Sequence, residues 1–460
     1  MARHQKRAGA NHLALEGENK NVSVKRTLIL LTTLLLAPLA ALQAATAPKP
    51  ASKPNIIFIL ADDLGMDGVG CYGAETRKTP QIDKLAATGL RFQTCYAMPM
   101  CAPARTALIS GRYPFRTGGL HQVGIEQPIA KLLKQAGYVT GQAGKWRQTG
   151  GMPHDWGFDE YCSDETAGGW YWQDTYIKNG QTINAGKDAY NPDIIQAFTI
   201  DFMRRHKDRA FFFYYAMHLV HTPILHTPDS PKGAKDGAGR YEDNIEYMDK
   251  QVGALVAELE ELGLREKTLI IFSGDNGTLK GFATSIAGRM VNGSKLSMLE
   301  GGSRVPFIAS WPGTTPAGKV STDIVSFVDP HATFLELAGV KPPEGIEFDG
   351  ISLAPQLRGE KGTPREWAFV QFGPKWFVRE QGWKMNESGE LFDMSDAPFV
   401  EKPVAVENET AESKSARQRL TKVLAELNPA AGNTSGGEEE QLRRQSTLKD
   451  QRGKKQGTGK

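Results

Sequence analysis

From Asn55 to Leu60 the chain reads NIIFIL, whose last five residues are an apolar run that leads directly into ADDLG. A short apolar run rich in β-branched residues predicts a strand buried on both faces. TLIIFSGDNG repeats the pattern, with Thr268 to Phe272 as the strand and Gly274 to Gly277 as the turn. A third run, FFFYYAMHLVHTP, gives a strand over Phe211 to Tyr215 that runs out into His218 and His221. Ile245, Met248, Val252, Leu255, Val256, Leu259 and Leu262 recur every three or four residues, which predicts an amphipathic helix ahead of the Thr268 strand. TPQIDKLAATG and DPHATFLELAGV predict shorter helices. Strands of this kind alternating with helices predict an α/β fold: a large, open, mostly parallel sheet flanked by helices, with ligands at the strands' carboxyl ends. From about Trp367 the pattern changes to short aromatic runs, WAFVQF and KWFVRE, then ELFDM, which predict a small C-terminal antiparallel β subdomain.

The chain divides on this reading into four parts. Residues 1–45 are read as a signal peptide, because Lys25 and Arg26 precede an apolar stretch, Thr27 to Ala45, that ends in small residues. An uncleaved membrane anchor is the other reading of that stretch, and Pro38 with the alanine-rich end favours cleavage. Residues 46–365 form the catalytic domain, 366–429 the small subdomain, and 430–460, almost without apolar residues, a disordered tail. The chain carries a net charge of +3, but residues 1–45 hold six Lys/Arg against two Glu, a balance of +4, so the remainder is at −1. This speaks against nucleic acid as a partner and against an anionic membrane surface. The mature protein is expected to be exported, periplasmic or secreted, with no stable membrane insertion after cleavage. The four cysteines, Cys71, Cys95, Cys101 and Cys162, contain no CxxC pair and are too few for a disulfide scaffold in 460 residues.

Asp62, Asp63, Asp275 and Asn276 place three carboxylates and one amide oxygen after two strands, an all-oxygen set suited to Ca²⁺, with Mg²⁺ as the other option. In CAPARTALISGR, Cys101 stands where a helix is expected to begin, Pro103 suits its first turn and Arg105 follows one turn on. A helix N-terminus attracts anions. Taken singly, Cys101 and Arg105 read as a buried thiol beside a surface arginine, Lys145 and Lys295 as solvated cations, and His221 as an ordinary hydrogen-bonded histidine. Trp170 and Trp172, in GGWYWQDTY, read equally as sugar-stacking rings or as core.

CAPARTALISGR resembles the signature of the type I, formylglycine-dependent sulfatase family of the alkaline phosphatase superfamily. PNIIFILADDLG, TPQIDKLAATG, AGKW, HTP, SGDNG, SKLSMLEGGSRVPFIASWPG and LFDM resemble further segments of that family, in its order, from about Pro54 to Asp393. The resemblance implies an alkaline-phosphatase-like fold and hydrolysis of sulfuric esters, most plausibly on a sulfated saccharide. It implies that a formylglycine-generating maturation enzyme oxidises Cys101 to Cα-formylglycine, whose hydrate attacks sulfur, forms a covalent sulfo-enzyme and later expels sulfate as the aldehyde returns. By position, Asp62, Asp63, Asp275 and Asn276 match the calcium ligands and Arg105 the arginine supporting residue 101. Lys145 and Lys295 match lysines that hold sulfate oxygens, and His221 matches the histidine that protonates the leaving oxygen. Family members read GKWHxG where this chain has Arg147, and arginine is no base near neutral pH. Either another residue such as His218 takes over that step, or elimination is slower, or Arg147 contacts a substrate anion, a carboxylate or second sulfate; His154 is a weaker candidate. A phosphonate or phosphate monoester hydrolase of the same superfamily and a catalytically silent sulfoglycan-binding protein are the alternatives to a sulfatase.

Overall fold

The computed structural model describes residues 53–117, 127–146, 151–164 and 171–432. The expected signal segment, Arg147, Trp170 and all of the expected tail beyond residue 432 lie outside the described residues.

Ten strands form the main sheet. In chain order they are β1 (Asn55–Ala61), β2 (Leu90–Tyr96), β3 (Val139–Gly144), β4 (Glu160–Asp164), β5 (Thr175–Lys178), β6 (Gln181–Asn184), β7 (Phe211–Ala216) and β8 (Thr268–Gly274), followed after a short hairpin, β9 (Thr284–Ile286) and β10 (Arg289–Val291), by β11 (Arg304–Ser310) and β12 (Lys319–Ser326). Their order across the sheet is β12-β2-β11-β8-β1-β7-β3-β4-β5-β6. From β8 to β4 the pairing is parallel throughout. The departures are β11, antiparallel to both neighbours, and the β5–β6 hairpin at one edge.

All seven residues of β1 are buried, and strand alternation shares them between two cores. Ile56, Phe58 and Leu60 point to one side with Phe212, Tyr214, Leu269 and Ile271. Ile57, Ile59 and Ala61 point to the other with Phe211, Phe213, Tyr215, Ile270 and Phe272. That is why the sequence shows continuous apolar runs and no alternation: both faces are covered. Each fully buried Ile or Phe contributes about 1.5–3 kcal/mol relative to exposure. Helices α1 (Pro80–Ala87), α4 (Asn191–Arg205) and α5 (Tyr241–Glu261) cover the second face, with Ile245, Met248, Val252, Leu255 and Leu259 of α5 inward. Helices α2 (Cys101–Ser110), α3 (Ile129–Gln135) and α6 (Asp329–Ala338) cover the first.

After these layers comes a five-stranded antiparallel meander, β13 (Ala368–Phe372), β14 (Lys375–Arg379), β15 (Trp383–Asn386), β16 (Leu391–Asp393) and β17 (Lys402–Val404). Helix α7 (Ala411–Leu427) packs on it, capped by Thr410, whose hydroxyl accepts from the Ser413 N–H at 3.2 Å. Its buried Ala416 and Leu420 begin a sparse stripe among charged residues.

Candidate active site

The carboxyl ends of β1, β8, β7 and β3 open onto one edge of the sheet, and the loop after β2 delivers the start of α2 to the same place. β1 ends into Asp62 and Asp63, and β8 into Asp275 and Asn276. The segment after β7 carries His218 and His221. Asp63 takes a left-handed backbone, φ 63°, which aspartate tolerates better than most residues. Its N–H donates to Asp275 Oδ1 at 3.0 Å, tying the two turns together.

Two glycines set the lysines. Gly144, φ 95°, lets the chain leave β3 so that the Lys145 N–H reaches Ala216 O at 2.8 Å; a Cβ there would lie 1.9 Å from that same oxygen. Lys145 Nζ then donates to both oxygens of Asp62, at 2.7 and 2.5 Å. Gly277 lets the Asp275 turn pass against the segment that follows Lys295, since a Cβ would fall 1.9 Å from Gly301 O. The Lys295 N–H donates to Thr278 O at 3.0 Å, and Lys295 Nζ donates to Asp63 Oδ1 and to Cys101 Sγ, the latter at 3.4 Å.

Cys101 is the first residue of α2, a helix of ten buried residues. Its sulfur lies 3.4 Å from Asp62 Oδ1 and 3.5 Å from Asp63 Oδ1. Burial pushes the thiol up, Asp275 adds to the rise, and Lys145 and Lys295 only partly oppose it. An unmodified cysteine here is therefore protonated and a poor nucleophile. Arg105, one turn on and fully buried, donates from Nε to Asp275 Oδ2 at 2.8 Å and from Nη1 to Lys145 O at 3.3 Å; its Nη2 stands 3.6 Å from Asp62 Oδ1.

Three carboxylates and three cations thus share one buried volume: Asp62, Asp63 and Asp275 against Arg105, Lys145 and Lys295, none more than 8% exposed. Burial raises Asp275, with Arg105 opposing. In Asp63 the same burial is outweighed by Lys295, His221 and Lys145, which hold its carboxyl far below the usual range. Asp63 Oδ1 also accepts from Asn276 Nδ2 at 3.0 Å. By contrast, Asp63 Oδ2 and Asn276 Oδ1 are buried acceptors without a hydrogen-bond donor. Uncompensated oxygens of this kind beside three carboxylates suit a hard divalent cation. Ligand atoms of Asp62, Asp63, Cys101 and His221 lie within 4.8 Å of one another.

His221 Nδ1 donates to Thr222 O, which turns Nε2 toward Asp63 Oδ2, 3.6 Å away. Burial lowers this imidazole well below its ordinary value; Asp63 opposes the drop, and Lys145 and Lys295 deepen it. His218, fully buried, donates from Nε2 to Asp164 Oδ1 at 3.3 Å. The Tyr171 hydroxyl donates to His218 O at 3.2 Å and His221 O at 2.6 Å, fixing the segment that carries both histidines. The structure therefore gathers all nine expected residues, Asp62, Asp63, Cys101, Arg105, Lys145, His221, Asp275, Asn276 and Lys295. Asp164 and Tyr171, which the sequence did not single out, support the histidines from β4 and from the stretch before α4. His154 stands apart, beside Asp155 and Tyr161 in an exposed turn.

Among the described residues no helix is long and apolar enough to cross a membrane. The sequence model of the Sulfatase family matches residues 54–340. The chain is 33% identical over 377 residues to N-acetylgalactosamine-6-sulfatase of Canis lupus familiaris, covering 72% of this chain and 70% of that one. It is 33% identical over 380 residues to arylsulfatase A of Homo sapiens, covering 73% of each. The crystal structure of Ps i-CgsB superposes with a TM-score of 0.70 at 29% identity, over 82% of this chain and 92% of that one. With this sheet, this ordered cluster of site residues and these relatives, the chain belongs to the sulfatase family, the sulfuric ester hydrolases of alkaline-phosphatase-like fold.

Proposed function

We propose that the protein is an exported sulfatase that removes sulfate from a sulfated saccharide, using formylglycine made from Cys101 and a divalent cation, Ca²⁺ by preference, held by Asp62, Asp63, Asp275 and Asn276. The observation that carries this reading is the convergence on one buried point of a protonated, helix-initiating Cys101, two lysines and two acceptor oxygens without donors. Relatives named for a sulfated amino sugar, and a neighbour, Ps i-CgsB, solved with a neocarrahexaose, support a saccharide substrate.

Formylglycine at position 101 would supply an oxygen nucleophile for sulfur, and the cation would draw charge from a sulfate oxygen and hold that nucleophile. The chain's own groups do the rest. Three acidic and three basic side chains cancel, so a bound divalent cation leaves two positive charges in excess to face an anionic ester. Lys145 and Lys295, both held at carboxylates beside Cys101, stabilise the sulfate oxygens as charge builds. Arg105 pairs with Asp275 and stands beside Asp62, holding both carboxylates in place. His221 Nε2 faces the same point; burial leaves the ring neutral, so it takes up a proton beside the anionic ester before handing one to the departing alkoxide. His218, fixed by Asp164, is the histidine available for the elimination step, given arginine at 147.

Mass spectrometry of the peptide containing Cys101, from protein made in its native host, tests the reading. Loss of roughly 18 Da, the thiol-to-aldehyde change, together with turnover of an aryl sulfate far above the matching aryl phosphate, is the expected result. Unmodified cysteine with tight binding of a sulfated glycan and no sulfate release would replace it with a binding protein.

A further inference from the structure

One flank of the site, beyond Lys295, has no role in the chemistry above. A cleft of about 670 Å³, within the roughly 300–1,000 Å³ typical of small-molecule sites, has Lys295 in its wall and lies between the β9–β10 hairpin and the segment before β17. Its lining mixes apolar surface, Met290, Leu299 and Phe399, with Lys280 and two carboxylates, Glu300 and Glu401, which are already paired with Arg304 and Arg379 and with Lys384. Met290 is 64% and Leu299 54% exposed, unusually open for two large apolar side chains lining one cleft. Exposed apolar surface rimmed by polar groups marks a binding site.

The walls are held before any ligand arrives. Arg289 pairs with Asp396 through two contacts, 2.6 and 3.0 Å, and its guanidinium lies 3.9 Å over the Phe399 ring. Glu401 accepts from the Glu300 N–H at 2.7 Å and from Lys384 Nζ at 2.6 Å. Lys280, at the exposed end, has no acidic partner among the described residues. The other aromatic candidate for sugar stacking is already engaged: Trp172 stacks on His226 at 5.0 Å, packs on Tyr190 at 4.8 Å, and donates Nε1 to His226 O.

Resting on the sulfatase reading, we propose that this cleft is the subsite for the sugar ring next to the sulfated one, with its C–H face on Met290 and Leu299 and an anionic group of that ring on Lys280. The substrate class is therefore an oligosaccharide carrying more than one negative charge. A scissile ester placed at Lys295 sends the rest of its alcohol along the cleft that Lys295 lines.

The test compares Lys280→Ala and Met290→Ala with the wild type, using a small aryl sulfate and a chondroitin 6-sulfate tetrasaccharide, by kcat/KM and by calorimetric affinity. Neither substitution touches the catalytic cluster. Tetrasaccharide affinity and kcat/KM are expected to fall roughly tenfold in Lys280→Ala, the scale of one charge-assisted contact, and several-fold in Met290→Ala, with aryl sulfate turnover unchanged. Equal falls on both substrates, or no fall on the tetrasaccharide, would overturn the subsite. A wild type that cleaves aryl sulfate and does not bind the tetrasaccharide overturns the subsite and leaves the sulfatase reading standing. Formylglycine-bearing protein that cleaves no sulfate ester, yet loses tetrasaccharide affinity in these variants, sinks the sulfatase reading and keeps the subsite.

Discussion

Replacing Arg105 by methionine isolates the electrostatics of the buried cluster, because the aliphatic length is roughly kept while the charge goes. At 2.8 Å the attraction between Arg105 Nε and Asp275 Oδ2 is about 6 kcal/mol at an effective dielectric constant near 20. Desolvating the guanidinium offsets most of this, so what a measurement sees is the orphaned carboxylate. Removing one partner of a buried pair costs about 3–5 kcal/mol. The lost bond to Lys145 O, at 3.3 Å, adds at most about 1 kcal/mol. The variant also leaves the carboxylates in excess, so it should bind a divalent cation more tightly than the wild type does. A cation at 100 times its Kd stabilises by about 2.7 kcal/mol, and that gain should be larger in the variant. Urea denaturation followed by tryptophan fluorescence, in EDTA and again in millimolar calcium, reads both effects. A gap of about 3–5 kcal/mol in EDTA that narrows in calcium is expected. Equal midpoints in EDTA would refute the buried pairing, and a gap that calcium leaves untouched would remove the cation from these carboxylates.

Cys101→Ser should cut multiple turnover of an aryl sulfate by roughly a thousandfold or more; full activity would end the nucleophile assignment. Asp63→Asn keeps a side chain that tolerates the left-handed backbone but removes a charge, and calorimetry should show calcium affinity weaker by roughly 10–100-fold. An unchanged Kd would take Asp63 out of the ligand set. His331 is 1% exposed, stacked on Phe348, and burial pushes it down to about 4. Between the unfolded value of about 6.5 and pH 4 the unfolded chain takes a proton that the folded ring refuses, so stability falls with pH, by up to about 3 kcal/mol. His331→Gln should flatten that part of the stability profile; an unaltered slope would assign the acid sensitivity elsewhere.

The parts of the fold readable in advance were those whose environment is uniform. β1, β7 and β8 are covered on both faces, so each is one apolar run, and α5 presents a single buried stripe. β11 reads no differently from the parallel strands of the sheet, although it runs the other way; direction depends on what the intervening chain does, and no local pattern records it. α7 stayed hidden because its stripe, Ala416, Leu420, Val423 and Leu427, is diluted by charge and covers only a small sheet. At the site, the ordered motifs supplied the residues that touch one another. Asp164 and Tyr171 escaped because each serves a histidine about 50 residues away, His218 with a separation of 54 for Asp164 and 47 for Tyr171. A lone aspartate and a lone tyrosine leave no signal for such pairings.

The complete burial of α2 has a consequence for timing. Cys101 is 0% exposed, and its helix is sealed between the sheet, α3 and α6. Among the described residues, the layers leave Cys101 no exposed surface once they close. On the proposed formylglycine chemistry, conversion of the residue by another protein would belong to a chain that has yet to collapse, and folding would set the deadline. A molecule that folds first is committed to its thiol for as long as it stays folded. If activity depends on that conversion, as proposed, the active fraction of a preparation is decided by a race during biogenesis, and purity on a gel says nothing about who won it.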